Sequence, residues 1–370
     1  MIVSNYMLLQ LSIALISSYA LINFIKSIVG FSRLPRPGGE ARASVSYIIP
    51  ARNEEGKIAR CISSLLPWLR DGDELIVVDD CSEDSTEDEA LSKFNEKCKL
   101  IRLMEKPEGW VGKSWACYQG YLHSSGDVIV FLDADTVVMS DPRGAISLTE
   151  RFDALSQVPR IKCESLACGA IEVALTSLVR LLFPYWRMSQ SKAWLMGAFT
   201  IWRRESYESV GTHGAVRSSL VEDADLARLA VAKGLRVSFF MGSIVESSWI
   251  RSWREGYETI KRIGLASMPS KLISILIFLA LSYTAVTIYA SPILAYLGLM
   301  RVELAIFYLV SIFSYASLSL IEVKLRPESM ILSPLALSLI GLSLLTASFG
   351  KKVSWKGRDY STHLGEQSSH

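Results

Sequence analysis

The chain has 370 residues, half of them apolar, and a formal net charge of +2. That length allows one large soluble domain plus further segments, and the near-neutral balance argues against a nucleic-acid-binding protein, which shows a strongly basic face. Four histidines argue against a histidine-rich metal site, and six cysteines without a CxxC pair read as reduced structural thiols.

From the amino terminus, Tyr6 to Ile25 is an uncharged run of 20 residues. As a helix it would reach ~30 Å, the thickness of a bilayer's hydrocarbon core. The preceding MIVSNYM has no basic residue, so the run reads as an uncleaved anchor and not as a secretory signal. A Pro/Gly linker at 34–39 follows. Ser44–Ile49 reads as a strand, Lys57–Leu69 as a helix that Pro67 ends or kinks, and Glu74–Val78 as a buried strand closed by Asp79-Asp80. Ser85–Cys98 is expected as a helix, Leu100–Leu103 as a strand, Ser114–His123 as a helix and Val128–Leu132 as a strand. Strands alternating with helices imply a parallel sheet covered by helices, with ligands at the carboxyl ends of the strands. The stretch Ser218 to Asp225 is expected to open a further helix that ends at Lys233-Gly234.

Towards the carboxyl terminus, Leu272–Leu297, Leu304–Ile321 and Met330–Phe349 are three more apolar runs. Basic residues follow the first span (Lys26, Arg33, Arg36, Arg42) and precede the second (Lys261, Arg262, Lys271), which places the segment between them in the cytoplasm. Trp249 to Tyr257, with Lys261 and Arg262, mixes aromatic and basic residues as a lipid-interface segment does. The expected organisation is therefore an anchor (1–30), a catalytic domain (31–248), an amphipathic interfacial segment (249–270), membrane helices (271–350) and a tail (351–370). One anchor plus three spans puts the tail outside, against the preference of Lys351, Lys352, Lys356 and Arg358. Either one run lies in the interface, or Leu272–Leu297, with Pro292 inside it, doubles back.

Three expected strands end in polar groups: PARNEE at 50–55, Asp79-Asp80, and Asp133-Ala-Asp135. Ionised carboxylates at the end of a buried strand need a partner, and a divalent cation is one. A DxDxT phosphatase loop is a rival for the last pair, but Thr136 falls one residue short and Val137 stands in its place.

PARNEE (50–55), VVDDCSEDST (77–86), FLDADT (131–136) and VEDADLA (221–227) stand in the order and approximate spacing of family 2 glycosyltransferases. With Gly109-Trp-Val-Gly-Lys113, Gly197-Ala-Phe, Arg203 to Tyr207, Val210-Gly211 and Trp355-Lys-Gly-Arg358-Asp-Tyr360, the sequence resembles that family over residues 44–262. In particular it looks like the membrane-anchored branch acting on lipids such as carotenoids and hopanoids. The resemblance implies an α/β GT-A (Rossmann-like) domain and a nucleotide-sugar donor, GDP- or UDP-linked. It implies Mg²⁺ or Mn²⁺ on Asp135, with Asp133 against the donor ribose or sharing the metal. Pro50, Arg52 and Glu54 would surround base and ribose, with Asp80 hydrogen-bonding the base and Asp79 beside it in the donor site; the alternative for Asp79 and Asp80 is a turn with side-chain-to-backbone bonds, followed by helix capping from Ser85. A carboxylate accepts the imino N–H of either uracil or guanine, so the base stays open.

Lys113, between a glycine and a helix start, is placed to reach the diphosphate or to be solvated. Glu222 and Asp223 would suit the first turn of a helix for dipole reasons alone. Transfer to a hydroxyl, however, needs a base, and the resemblance assigns that role to Asp223 with Glu222 in support. The acceptor expected from the anchor and spans is a membrane lipid. Two further features narrow the branch. Arg52 replaces the tyrosine common in polyprenyl-phosphate mannosyltransferases, and Arg251-Ser-Trp-Arg254 lacks the glutamine of the QxxRW motif of processive polysaccharide synthases.

Overall fold

The computed structural model describes residues 2–248, 250–267, 270–350 and 352–361. Trp249 of the expected interfacial segment, Lys351 and the tail from 362 lie outside the described residues. The strands in chain order are β1 (Val45–Ala51), β2 (Glu74–Asp80), β3 (Cys98–Leu103), β4 (Val128–Leu132), β5 (Thr136–Val138), β6 (Ala154–Ser156), β7 (Arg160–Ile161), β8 (Phe199–Arg203), β9 (Val237–Phe239), β10 (Val245–Ser247), β11 (Lys352–Trp355) and β12 (Arg358–Ser361).

The chain divides into two compact units. The sheet-bearing unit comprises residues 33–160, 185–248 and 352–361. Its main sheet has seven strands in the order β3-β2-β1-β4-β8-β6-β9. β3, β2, β1 and β4 run parallel, and β8 is antiparallel to both of its neighbours. β1, β2 and β4 are almost wholly buried, which explains their continuous apolar runs. One face packs on helix Ile58–Leu65, through Ile58, Cys61, Ile62 and Leu65. The other packs on helices Gly112–Leu122 and Glu222–Ala232, through Ala116, Cys117, Leu226 and Ala230. β5, β10 and β7 form a small second sheet.

Beneath the sheet, Arg143 pairs with Asp73, 3% and 0% exposed at their side chains, and also donates to the Ala43 carbonyl at 2.8 Å. Asp73 further accepts from the N–H groups of Val45 (3.0 Å) and Arg70 (2.8 Å). Removing one partner strands a buried charge, so Asp73→Ala is expected to cost about 3–5 kcal/mol of stability. Denaturant unfolding followed by tryptophan fluorescence measures this; a loss below about 1 kcal/mol would show that the pair is dispensable.

The expected helix over Lys57–Leu69 stops earlier, at Leu65, and continues as a 3₁₀ turn over Leu66–Trp68, because Pro67 cannot donate into an α-helical ladder. The helix expected over Ser85–Cys98 covers only Thr86–Leu91. Turns at Lys93 and Phe94 close it, Asn95 caps the turn that follows, and Cys98 already belongs to β3.

The second unit comprises residues 2–32, 161–184 and 250–350. Helices Tyr6–Arg33, Lys271–Tyr296, Val302–Glu322 and Ser329–Phe349 are each long and apolar enough to cross a membrane. Only 17–39% of their most apolar windows is buried within the protein, so most of that surface needs another apolar medium. Lys271–Tyr296 is one continuous helix through Pro292, which removes the re-entrant alternative for that run.

The division departs from the sequence-based boundaries in two places. Residues 161–184, expected within the catalytic domain, carry an apolar helix, Leu166–Leu182, that packs on Ser329–Phe349 and Val302–Glu322. Gly169 lets the first of these approach: a Cβ there would lie 2.1 Å from Ser329 Oγ. Arg180 of the same helix is buried on Glu322 (2.6 Å), on the Tyr315 carbonyl (2.8 Å) and over the Tyr315 ring. Conversely, β11 and β12, expected in a tail, belong to the sheet-bearing unit.

Cys163 and Cys168, expected as reduced thiols, form a disulfide. The approach to Leu166–Leu182 folds back on itself, with Ser165 capping the helix through the Cys168 N–H, and brings their Cα atoms to 5.4 Å, within bridging range. Cys61, Cys81, Cys98 and Cys117 are free.

Candidate active site

Four chain segments meet at the carboxyl ends of β1, β2 and β4. The turns leaving β1 and β2 are tight, with Asn53 (φ 51°) and Cys81 (φ 57°) in left-handed conformations. They are tied together: Asn53 N–H donates to Ser82 Oγ (3.0 Å), and Glu83 N–H to Asn53 Oδ1 (3.0 Å). Pro50 stays inside β1, opposite Val78 of β2.

Arg52 Nη1 donates to the carbonyls of Asp80 (2.6 Å) and Cys81 (2.8 Å), and its Nε to the carbonyl of Lys356 (3.0 Å). Glu54 is buried and pairs with Lys57 (3.1 Å) and with Lys356. Asp80, 3% exposed, takes both Nη atoms of Arg358, at 2.5 and 3.1 Å. Asp79 has a different use from the one expected of it: its carboxylate accepts from the hydroxyl and the N–H of Ser82 and shapes the turn after β2. Asp84 caps the next helix at Thr86, in place of Ser85.

On the other side of β1, β4 delivers Asp133 and Asp135. Lys113, in the first turn of Gly112–Leu122, lies 2.9 Å from Asp133 Oδ1 and 2.9 Å from Glu222 Oε1, so it is a partly buried link and not a solvated surface lysine. Asp223, in the first turn of Glu222–Ala232, accepts from the N–H groups of Gly197 (2.9 Å) and Ala224 (2.8 Å). Gly197 leaves room for both charged groups, since a Cβ there would stand 2.9 Å from Lys113 Nζ and 3.1 Å from Asp223 Oδ2. Lys113, Gly197, Glu222 and Asp223, with Thr200 and His213, line a small pocket.

The electrostatics follow from this crowding. Burial raises the Asp223 carboxyl to about 7, helped by neighbouring Glu222 and opposed by Lys113 and the Ala224 N–H. Burial alone would lower the Lys113 ammonium, but Asp133, Glu222 and Asp223 outweigh it and hold it well above its usual value. Asp135 rises to about 6 through burial and its neighbours Asp133 and Glu54, although Lys57 and Lys356 pull it down. His213 is pushed down to about 3, by burial and then by Lys113, and bonds Tyr207 at 2.6 Å as a neutral ring. Among the described residues no group of three or more His, Cys, Asp or Glu side chains is arranged to hold a metal by itself.

Arg52, Glu54 and Asp80 thus gather on one side, and Lys113, Asp133, Glu222 and Asp223 on the other, with Asp135 electrostatically coupled to both. Sequence reasoning missed the role of Gly197 and the direct contacts of Lys356 and Arg358. The signal for the latter was the Trp355 to Tyr360 motif, which lies far from the other motifs in sequence.

Residues 46–144 match the profile of Glycosyl transferase family 2. A 4,4'-diaponeurosporenoate glycosyltransferase of Staphylococcus haemolyticus is 35% identical over 123 residues, 33% of this chain and 32% of that protein. The enzyme of the same name from Staphylococcus aureus strain MRSA252 is 26% identical over 226 residues, 59% of each chain. The chain thus spans between 32% and 59% of the length of these relatives. Among solved structures, a mannosyltransferase from Pyrobaculum calidifontis, in complex with GDP-Man and Mn²⁺, superposes with a TM-score of 0.56 at 17% identity. It covers 92% of this chain and 96% of its own, a likeness of fold alone. Profile and sheet order agree with the motifs: residues 46–144 are similar to Glycosyl transferase family 2, the fold is GT-A-like, and one amino-terminal and three carboxy-terminal helices are long and apolar enough to span a membrane.

Proposed function

We propose that the protein transfers a sugar, with inversion, from a nucleotide-sugar donor to a hydroxyl of a membrane lipid, and that its catalytic domain is cytoplasmic at the cell membrane. The observation that carries the reading is Asp223: a carboxylate with a pKa near neutrality, held by two backbone N–H groups and joined through Glu222 and Lys113 to Asp133. The acceptor oxygen attacks the anomeric carbon, the bond from that carbon to the diphosphate oxygen breaks, and Asp223 takes the hydroxyl proton. Lys113 screens the charge that leaves on the nucleoside diphosphate.

A divalent cation fits Asp133 and Asp135. Asp135 is raised first by burial and then by Asp133 and Glu54, and two carboxylates plus diphosphate oxygens and water would satisfy Mg²⁺ or Mn²⁺. Such an ion, when bound, neutralises the diphosphate. The lipid acceptor is supported by the four apolar helices and by the names of the curated relatives, which denote glycosylation of a carotenoid acid. The Pyrobaculum structure, with its GDP-linked sugar, makes GDP-hexoses the first donors to try.

Purified protein in detergent, given a panel of GDP- and UDP-hexoses and membrane lipid extract, should release nucleoside diphosphate and form a glycolipid with the anomeric configuration inverted. Activity should rise with pH through about 7, as Asp223 loses its proton. Lipid-independent release alone, or retained configuration, would end the reading.

A further inference from the structure

The hairpin of β11 and β12 has no ladder to the main sheet; its two strands pair with each other. A lone two-stranded hairpin is marginally stable in water, so its docking must come from elsewhere. Its turn is Lys356-Gly357, both left-handed, at φ 48° and 76°. The described side-chain contacts that dock it all fall on the same three residues. Arg52 Nε bonds the Lys356 carbonyl, the Lys356 ammonium pairs with Glu54, and the Arg358 fork closes on Asp80. Lys356 is also near enough to act on Asp135. One ten-residue segment therefore contacts Asp80 and Glu54 on the nucleoside side of the site and brings the Lys356 ammonium near enough to Asp135 to act on it.

A carboxylate next to a guanidinium forms an edge with a defined complement. The carboxylate accepts an N–H, and the guanidinium's remaining donors face a neighbouring carbonyl. Uracil and guanine present that carbonyl and imino N–H side by side; adenine and cytosine present an amino group beside an unprotonated ring nitrogen. Resting on the donor-site reading of Arg52, Glu54 and Asp80, we infer that the carboxy-terminal hairpin is the outer wall of the donor site. Arg358, set by Asp80, donates to the base carbonyl, and Lys356 pairs with the donor diphosphate.

The test uses full-length protein in detergent with Mn²⁺, and calorimetric titration of GDP, UDP, ADP, CDP, GMP and UMP. Arg358→Ala should weaken the preferred diphosphate by ~10-fold or more, the loss of one charge-assisted hydrogen bond, and narrow its margin over ADP and CDP. Arg358→Lys keeps the charge that docks the hairpin and should still lose that margin. Lys356→Ala should weaken GDP or UDP by ~10-fold, while GMP or UMP changes much less. Melting of each variant within a few degrees of the parent assigns these losses to contact and not to unfolding. Unchanged or tighter nucleotide binding by the Arg358 variants would overturn the inference, making the hairpin a cover that competes with the donor. Parent protein that binds none of the six nucleotides would instead overturn the donor-site reading, and this inference with it.

Discussion

Asp223→Asn should bind nucleoside diphosphate about as tightly as the parent while transfer falls by ~10²–10⁴-fold, the usual worth of a positioned general base. Asparagine keeps the size of aspartate and an oxygen for the Gly197 or Ala224 N–H, but it cannot take a proton. Stability gives an independent check. Because burial and Glu222 raise the folded-state pKa of Asp223, its contribution to stability is fully present below its unfolded value of roughly 4 and is lost as pH rises through about 7. The Asn variant should therefore melt no lower than the parent at pH 8. A residue there only for the helix dipole would behave in the opposite way, since its loss would cost ~0.3–1 kcal/mol and leave transfer almost intact. Calorimetry, a product assay and a melt on one preparation separate the cases; undiminished transfer by the Asn variant would end the assignment.

Asp135→Ala should bring transfer below about 1% of the parent, and chelation should do the same to the parent, with recovery on adding Mn²⁺ or Mg²⁺. The expected loss is at least ~10²-fold, as for other removals of charge stabilisation at a leaving group. The apo protein should not suffer, because the substitution relieves repulsion from Asp133 and Glu54. The parent should melt higher with Mn²⁺ and nucleoside diphosphate together than with either alone, and Asp135→Ala should lose that gain. Full activity of the parent in chelator would remove Asp135 from the role of ligand.

Much of this was legible in sequence for a physical reason. Strands buried on both faces are continuously apolar, so β1, β2 and β4 announce themselves, and the polar residues at their ends cannot be core. Short helices carry less signal. Thr86–Leu91 is bounded by local side-chain bonds, from Asp84 and Asn95, and the Leu66–Trp68 turn by the missing donor of Pro67, none of which periodicity records. Within the candidate site, sequence could set Asp80, Asp133 and Asp223 at the ends of strands and the start of a helix but could not tell Asp79, used in a turn, from Asp80, nor a solvated Lys113 from the partly buried link it forms. The disulfide was missed because a five-residue spacing says nothing about whether the chain folds back.

The docking of β11 and β12 also fixes a parity. The chain leaves the sheet-bearing unit after residue 249 and rejoins it at 352, with three long apolar helices between. A polypeptide that starts and finishes on one side of a bilayer has traversed it an even number of times. On the proposed reading, with the sheet-bearing unit wholly on one side, an even number of Lys271–Tyr296, Val302–Glu322 and Ser329–Phe349 would traverse, and the three would not each do so once. The same count returns Lys356 and Arg358 to the side that holds the basic residues flanking the first and second apolar runs, where the distribution of positive charge wants them.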